Sequence, residues 1–151
     1  MSWTVRPIGI VHSPISEARD ENWGCVESDI ELFSPYDRGL KGLEEFSHLL
    51  VVFWLHQADF HPERDLIRRP QGRADMPDTG IFAQRAKHRP NPIGITTVSI
   101  LEVGDNRVRV RGLDAIDGTP VLDLKPFVPA FDQVEDARTP EWLDRLMKAY
   151  F

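Results

Sequence analysis

A chain of 151 residues, 41% hydrophobic and 28% charged, is long enough to bury one core and is composed like a soluble globular protein, which excludes wholesale disorder. Its longest apolar run, Leu49 to Leu55, is strand-sized, and the opening M-S-W-T-V-R-P-I-G lacks an apolar secretory core; neither a membrane span nor a signal peptide is predicted. A formal net charge of −6 and a single cysteine, Cys25, argue against indiscriminate nucleic-acid binding and against an internal disulfide. A reducing, cytoplasmic compartment and a buried or unremarkable thiol follow.

The first strand falls within V-R-P-I-G-I-V-H-S-P (5–14), which ends in a Ser-Pro turn. C-V-E-S-D-I-E-L (25–32) alternates, with Val26, Ser28, Ile30 and Leu32 on one face and Glu27, Asp29 and Glu31 on the other. That period of two marks a half-exposed strand. L-K-G-L-E-E-F (40–46) has room for one helical turn. S-H-L-L-V-V-F-W-L-H (47–56) is continuously apolar, as expected of a strand buried on both faces. From His61 to Gly80 the pattern dissolves into prolines and mixed charge; two readings stay open, a mobile functional loop and a plain disordered insertion.

Strands over 93–103 and 106–113 join at Gly104-Asp105, and a further strand returns within 115–129 after the Asp117-Gly118 turn. The tail T-P-E-W-L-D-R-L-M-K-A-Y-F has Thr139 at an N-cap and Pro140 in the first turn. Trp142, Leu143, Leu146 and Tyr150 then recur at helical spacing, so a closing helix packs on the barrel or on a second subunit. Short strands, Gly/Pro turns and a single late helix predict a mainly β fold, a sandwich or a barrel, as one domain over 1–151 with a short C-terminal helix at 139–151. No repeat, low-complexity tract or linker interrupts it.

Dinucleotide, phosphate-loop, zincin and nucleophile-elbow motifs are all missing from the chain. His56, Asp59 and His61 carry metal-ligating chemistry, but their spacing at a strand end fixes no shared face, and no metal site is expected. His12 and His48 stand alone. Arg107, Arg109 and Arg111 alternate with valines, which leaves a solvated outer face or a basic stripe for a phosphate backbone. Asp117 is assigned to its turn. Asp123 and Lys125, two apart on one strand, are either a weak surface pair or a polar ligand site in which the cation lowers the carboxyl pKa.

The most distinctive stretch is F-A-Q-R-A-K-H-R-P-N-P-I-G (82–94). Proline fixes its own φ and biases the preceding residue toward extended geometry, so Arg89 to Pro92 is stiff. Neither proline carries an N–H, which leaves carbonyls and the Asn91 amide as its polar groups. Such a ledge suits a ligand with donors of its own, while Arg85, Lys87, His88 and Arg89 offer charge to a carboxylate or phosphate. A stiff turn feeding the next strand is the plain alternative.

G-I-F-A-Q-R-A-K-H-R-P-N-P-I-G (80–94) together with D-G-T-P-V-L-D-L-K-P-F-V-P (117–129) resembles the TsaA-like family, and I-G-I-V-H-S-P (8–14) and G-L-E-E-F-S-H-L (42–49) resemble its opening segments. The resemblance spans roughly residues 5 to 130. It implies a β-barrel homodimer that binds S-adenosylmethionine near the dimer interface and methylates the exocyclic nitrogen of threonylcarbamoyladenosine beside the tRNA anticodon. It also implies a cofactor site with Phe82, Arg85, His88, Arg89, Pro90, Asn91 and Gly94 on one side and Leu122, Asp123, Lys125, Pro126 and Phe127 on the other. Asp123 is then the candidate proton acceptor, with Lys125 and Asn91 as the other candidate catalytic residues. The chain departs from the family pattern at Ala86, where a hydroxyl residue is usual, and at Phe127, where tyrosine is common. Longer bacterial members carry an additional C-terminal domain, expected to be absent here. The alternative class is an S-adenosylmethionine-binding protein that acts as a sensor or on a small molecule. Neither a membrane nor a metal partner is expected.

Overall fold

Alternating apolar residues decide where the strands lie. The computed structural model describes residues 1–151. β1 (Gly9–His12) and β2 (Glu27–Leu32) pair antiparallel, Gly9 opposite Leu32 and His12 opposite Asp29. Val26, Ser28, Ile30 and Leu32 are all buried, as the alternation requires. The 40–46 stretch holds one helical turn, a 3-10 turn at Leu43–Glu45, and a second 3-10 turn, Tyr36–Leu40, precedes it.

β3 (His48–Trp54) is not buried on both faces. Leu49, Val51 and Phe53 point into the core, whereas Leu50, Val52 and Trp54 are only half-buried. The continuous apolar run thus reflects an inner face in the core and an outer face of the same composition left partly open to water.

Residues 61–80, expected to be irregular, are built around one carboxylate. α1 (Pro62–Asp65) is a single turn, and β4 (Ile67–Arg68) pairs with β5 (Thr79–Gly80) in a small separate sheet. Asp65 is fully buried. It accepts two bonds from Arg64, Nε at 2.8 Å and Nη2 at 2.7 Å, one from the His61 N–H at 2.8 Å and one from Arg68 Nη1 at 3.2 Å. Four donors on one buried carboxylate satisfy it fully and hold its pKa well below the usual range, Arg64 contributing most.

β6 (Ile93–Val103) and β7 (Arg107–Arg111) form the expected hairpin across Gly104-Asp105, and β8 (Pro120–Pro126) returns after the turn at Asp117. Asp117 does build that turn: its Oδ1 accepts the Ser13 N–H at 2.9 Å, and Gly118 adopts φ 83°. The strands close into a barrel in the order β1-β2-β7-β6-β3-β8, which leaves no open sheet edge except where partners differ in length. Val11, Ile30, Leu49, Val51, Phe53, Val98, Val108, Val110 and Val121 fill the interior.

After a one-turn helix, α2 (Pro129–Asp132), the chain ends in α3 (Glu141–Met147). Pro140, not Thr139, occupies the N-cap position, without a side-chain cap. The tail packs on its own barrel: Asn22 and Trp23 donate N–H groups to the carbonyls of Ala149 and Tyr150, each at 2.8 Å. Tyr150 joins a satellite core with Trp23, Val26, Ile116 and Ile15. Its hydroxyl donates to Asp114 Oδ2 at 2.5 Å, and Thr96 Oγ1 donates to Asp114 Oδ1. Burial, with the Asp114 charge beside it, pushes the Tyr150 phenol well above its ordinary pKa, so it remains a donor at physiological pH. Cys25 is exposed, which removes the buried alternative.

Candidate active site

Gln84 positions the stiff ledge. Its buried side chain donates Nε2 to the carbonyls of Arg68 at 2.9 Å and Thr79 at 2.6 Å, stapling the ledge to the β4–β5 sheet. Arg89 then turns inward and donates Nη1 to the carbonyls of Gln84 at 3.1 Å and Ala86 at 3.2 Å. Its guanidinium is a strut across the turn. Arg85 donates Nη2 to the carbonyl of Ile95, at the stretch of β6 that precedes its first partner on β7, Ser99 opposite Arg111. It therefore covers part of the edge that β6 leaves open ahead of its pairing with β7.

The ledge carbonyls divide into two kinds. Asn91 O accepts the Ile93 N–H and Pro92 O the Leu55 N–H, each at 2.7 Å. The carbonyls of Arg89 and Pro90 have no such partner, and the Asn91 side chain and Pro90 are exposed. Phe82, in a 3-10 turn over Ile81–Ala83, is 82% exposed. His88 is half-buried, and its Nδ1 accepts the Asp59 N–H at 3.1 Å. Burial chiefly, and then the Lys87 charge, lower the His88 pKa below its ordinary value, with Asp65 opposing. The ring is neutral, and Nδ1 carries a lone pair. Gly94 has a packing reason of its own: a Cβ there would stand 2.5 Å from Cε2 and Cζ of Phe53.

The second group lies on β8. Val52 faces Asp123 and Phe53 faces Val121, so Leu122 is an extra residue in a β-bulge. Asp123 Oδ2 and Lys125 Nζ pair at 2.8 Å with both side chains substantially exposed (47% and 64%). The Asp123 hydrogen bond raises the Lys125 pKa, so the ammonium stays charged. Phe127 packs edge-on against His48, ring centroids 6.2 Å apart, and Pro126 is exposed. A mostly apolar cleft of about 420 Å3, lined by Tyr36, Leu43, Leu49, Asp123 and Pro126 among others, opens beside this pair. Tyr36 and Leu43 were not foreseen there, since they reach it only through the 3-10 turns.

The start of β6, which the ledge feeds, and the Asp123–Lys125 pair of β8 share one outer face on either side of β3, whereas Gly94 and Pro126 oppose the inward-pointing Phe53 and Leu49. Ile95, Val52 and Asp123 form one row across it, and Thr97, Leu50 and Lys125 the next. Two strand spacings of about 4.8 Å put roughly 10 Å between the flanking strands, and it is β3 that joins them. Ile93 (40%) and Ile95 (46%) leave apolar surface exposed on this face.

Other sequence candidates are placed elsewhere. Arg107 pairs with Glu31 at 3.1 Å and Asp29 at 3.8 Å, while Arg109 and Arg111 pair with Glu27 at 3.3 and 3.1 Å. The cross-strand register of β2 and β7 neutralises that stripe and holds the Glu27 pKa low, Arg111 first; the solvated-face reading holds, and the phosphate-stripe reading does not. His61 Nε2 meets Asp59 Oδ2 at 2.9 Å, but no group of three or more His, Cys, Asp or Glu side chains converges as a metal site would need.

Residues 14–133 match the family model of the tRNA-methyltransferase O N-terminal domain. A probable S-adenosyl-L-methionine-binding protein of Pyrococcus abyssi is 41% identical over 145 residues, covering 93% of this chain and 76% of that protein. The tRNA (adenine(37)-N6)-methyltransferase of Escherichia coli is 37% identical over 149 residues, covering 90% of this chain and 62% of that protein. A crystal structure of TrmO from Pseudomonas aeruginosa superposes with a TM-score of 0.77 at 35% identity, covering 94% of this chain and 62% of the solved one. The chain thus spans less than two thirds of the E. coli relative and of that solved structure.

Proposed function

This chain belongs to the family of the tRNA-methyltransferase O N-terminal domain, and we propose that it is an S-adenosylmethionine-dependent methyltransferase acting on N6 of threonylcarbamoyladenosine next to the tRNA anticodon. The observation that carries the reading is the outer face of β3, flanked on one side by the start of β6, into which the carbonyl ledge leads, and on the other by the exposed Asp123–Lys125 pair. The names of the E. coli and mouse relatives, tRNA (adenine(37)-N6)-methyltransferase, support it.

The donor set fits the cofactor chemically. Carbonyls without competing N–H groups and the open Phe82 ring suit a sulfonium. Asp123 and Lys125 suit an amino-acid zwitterion, and the apolar cleft beside them suits a purine. When bound, the cofactor supplies an electrophilic methyl group. The chain's own residues do the rest: Arg89 and Gln84 hold the ledge in one conformation, so little positioning entropy is left to lose. Asn91 offers a side-chain amide at the rim, and Asp123, bonded to the Lys125 ammonium at 2.8 Å, is the proton acceptor. Phe82, Arg85, His88, Arg89, Pro90, Asn91 and Gly94 form one wall, and Leu122, Asp123, Lys125, Pro126 and Phe127 the other.

Apolar surface left exposed at Ile93 and Ile95 between the two walls favours a homodimer, in which a second copy covers them together with Val52 and completes each site. Residues 1–151 act as one domain in this reading, in the cytoplasm; no helix is long and apolar enough to cross a membrane. Incubating the protein with cofactor and tRNA already carrying the threonylcarbamoyl group tests the activity. Methylated nucleoside is expected; none, with cofactor demonstrably bound, overturns it. A second reading is favoured by the archaeal relatives, named only S-adenosyl-L-methionine-binding proteins: a cofactor-binding protein without RNA activity. Salt-steep tRNA binding counts against it.

A further inference from the structure

The geometry points to the corner formed by Arg64, Arg68 and Lys87 as the grip for the phosphodiester backbone of an RNA substrate, an inference that rests on the tRNA reading above. One buried carboxylate, Asp65, serves two guanidiniums, so the pair keeps a net positive charge. Asp65 also fixes them. Arg64 spends Nε and Nη2 on Asp65, and Nη2 again on the Asp59 carbonyl at 2.6 Å, while Arg68 spends only Nη1 there. Nη1 of Arg64 and both Nε and Nη2 of Arg68 are left with no protein partner, on side chains 53% and 30% exposed. Guanidiniums immobilised from behind, with outward donors unspent, are preorganised for phosphate oxygens.

The corner adjoins the ledge. Asp59 N–H bonds His88, Gln84 bonds the Arg68 carbonyl, and Lys87, Arg68 and Arg64 all lie close enough to the His88 ring to act on it electrostatically. Glu63, beside Arg64 on α1, and Asp59, whose charge acts on Arg64 and which also bonds His61, temper the positive charge. Against them, Arg85 and Arg89 use only carbonyl partners, and Lys87 is exposed and takes part in no ion pair. The other arginine groups of the chain differ: the β7 stripe is matched by acids on β2, Arg73 by Asp75 and Arg69 by Asp78. An acidic chain of net charge −6 thus gathers cations that outnumber their ion-pair partners in a corner beside the proposed site. A local positive field on an acidic surface steers a polyanion toward that corner.

The test is binding of a fluorescent tRNA transcript between 50 and 200 mM KCl. Arg68→Gln/Lys87→Gln is expected to weaken binding roughly tenfold and to flatten the slope of log K against log salt by about 0.7–0.9 for each cation that contacts a phosphate. Lys87→Glu alone, which removes no bond of the fold, is expected to weaken binding in the same direction. Arg107→Gln/Arg109→Gln, on the neutralised stripe, is expected to change it less than twofold, and calorimetric S-adenosylmethionine binding is expected to match wild type in all three. Unchanged tRNA affinity and slope in the corner variants, or an equal loss in the β7 control, overturns the assignment while leaving the methyltransferase reading intact if wild type still methylates tRNA. Wild type that neither binds nor methylates tRNA overturns both.

Discussion

The backbone N–H of Asp59 donates to Nδ1 of His88 at 3.1 Å, so an imidazole lone pair joins the Leu55–Pro92 backbone bond in tying the segment after β3 to the ledge before β6. The Asp59–His88 bond exists only while His88 is neutral. Burial keeps it so, with Lys87 adding to the effect and Asp65 opposing.

A histidine whose folded pKa is lowered stabilises the fold above its unfolded pKa, ordinarily about 6.5, and that stability is lost as pH falls through the lower folded value. Between pH 7.5 and 5 the unfolded chain takes up the proton first. Thermal melts across this window should show a falling Tm in wild type. His88→Asn, which keeps an acceptor near the Nδ1 position but cannot titrate, should fall less over the same window. Parallel curves would refute the role given to His88.

Asp65 is buried beneath two guanidiniums and one backbone donor. Asp65→Asn removes the charge and leaves Arg64 and Arg68 facing an amide, a change of the kind that is strongly destabilising for buried pairs. Tm should drop by roughly 5–15 °C for a domain of this size. Limited proteolysis should then cut within 59–80 before it reaches the barrel.

Gly94 lies against the ring of Phe53, with 2.5 Å available where a Cβ would stand. Gly94→Ala should therefore cost about 1–3 kcal/mol by overpacking. Because the clash is with one side chain, Phe53→Leu should relieve part of it. A double-mutant cycle by chemical denaturation reads the coupling; strict additivity would mean that the ring is not what excludes the methyl.

The Asp123–Lys125 pair is solvent-exposed and contributes little to folding. Asp123→Asn and Lys125→Gln should leave Tm within error of wild type. As members of the proposed site they should lower methyl transfer roughly 100-fold or more. Loss of Tm in step with activity would instead make the pair structural.

Much of the barrel was legible because strand patterning is local. Alternation over 25–32, the valines between Arg107 and Arg111 and the Gly104-Asp105 turn each state a face and a turn within a few residues, and β2, β7 and their neighbours follow them. β3 misled for the same reason: a run apolar at every position does not say which of its two faces the core takes. Asp65 was invisible, since nothing in H-P-E-R-D marks a carboxylate that tertiary contacts will bury and surround with donors from residues 61 to 68.

By itself the sequence determined that Arg89 to Pro92 is stiff, because proline geometry is a property of the ring and its neighbour, and that a carboxylate and an ammonium share one face at 123 and 125. Tertiary structure decided what those features face. The barrel order set β3 between the two motifs, the β2–β7 register cancelled one row of arginines, and a buried aspartate left another group of cations outnumbering their partners. Register and burial depend on residues distant in the chain, and they settle which charges are spent inside the fold and which remain for a ligand.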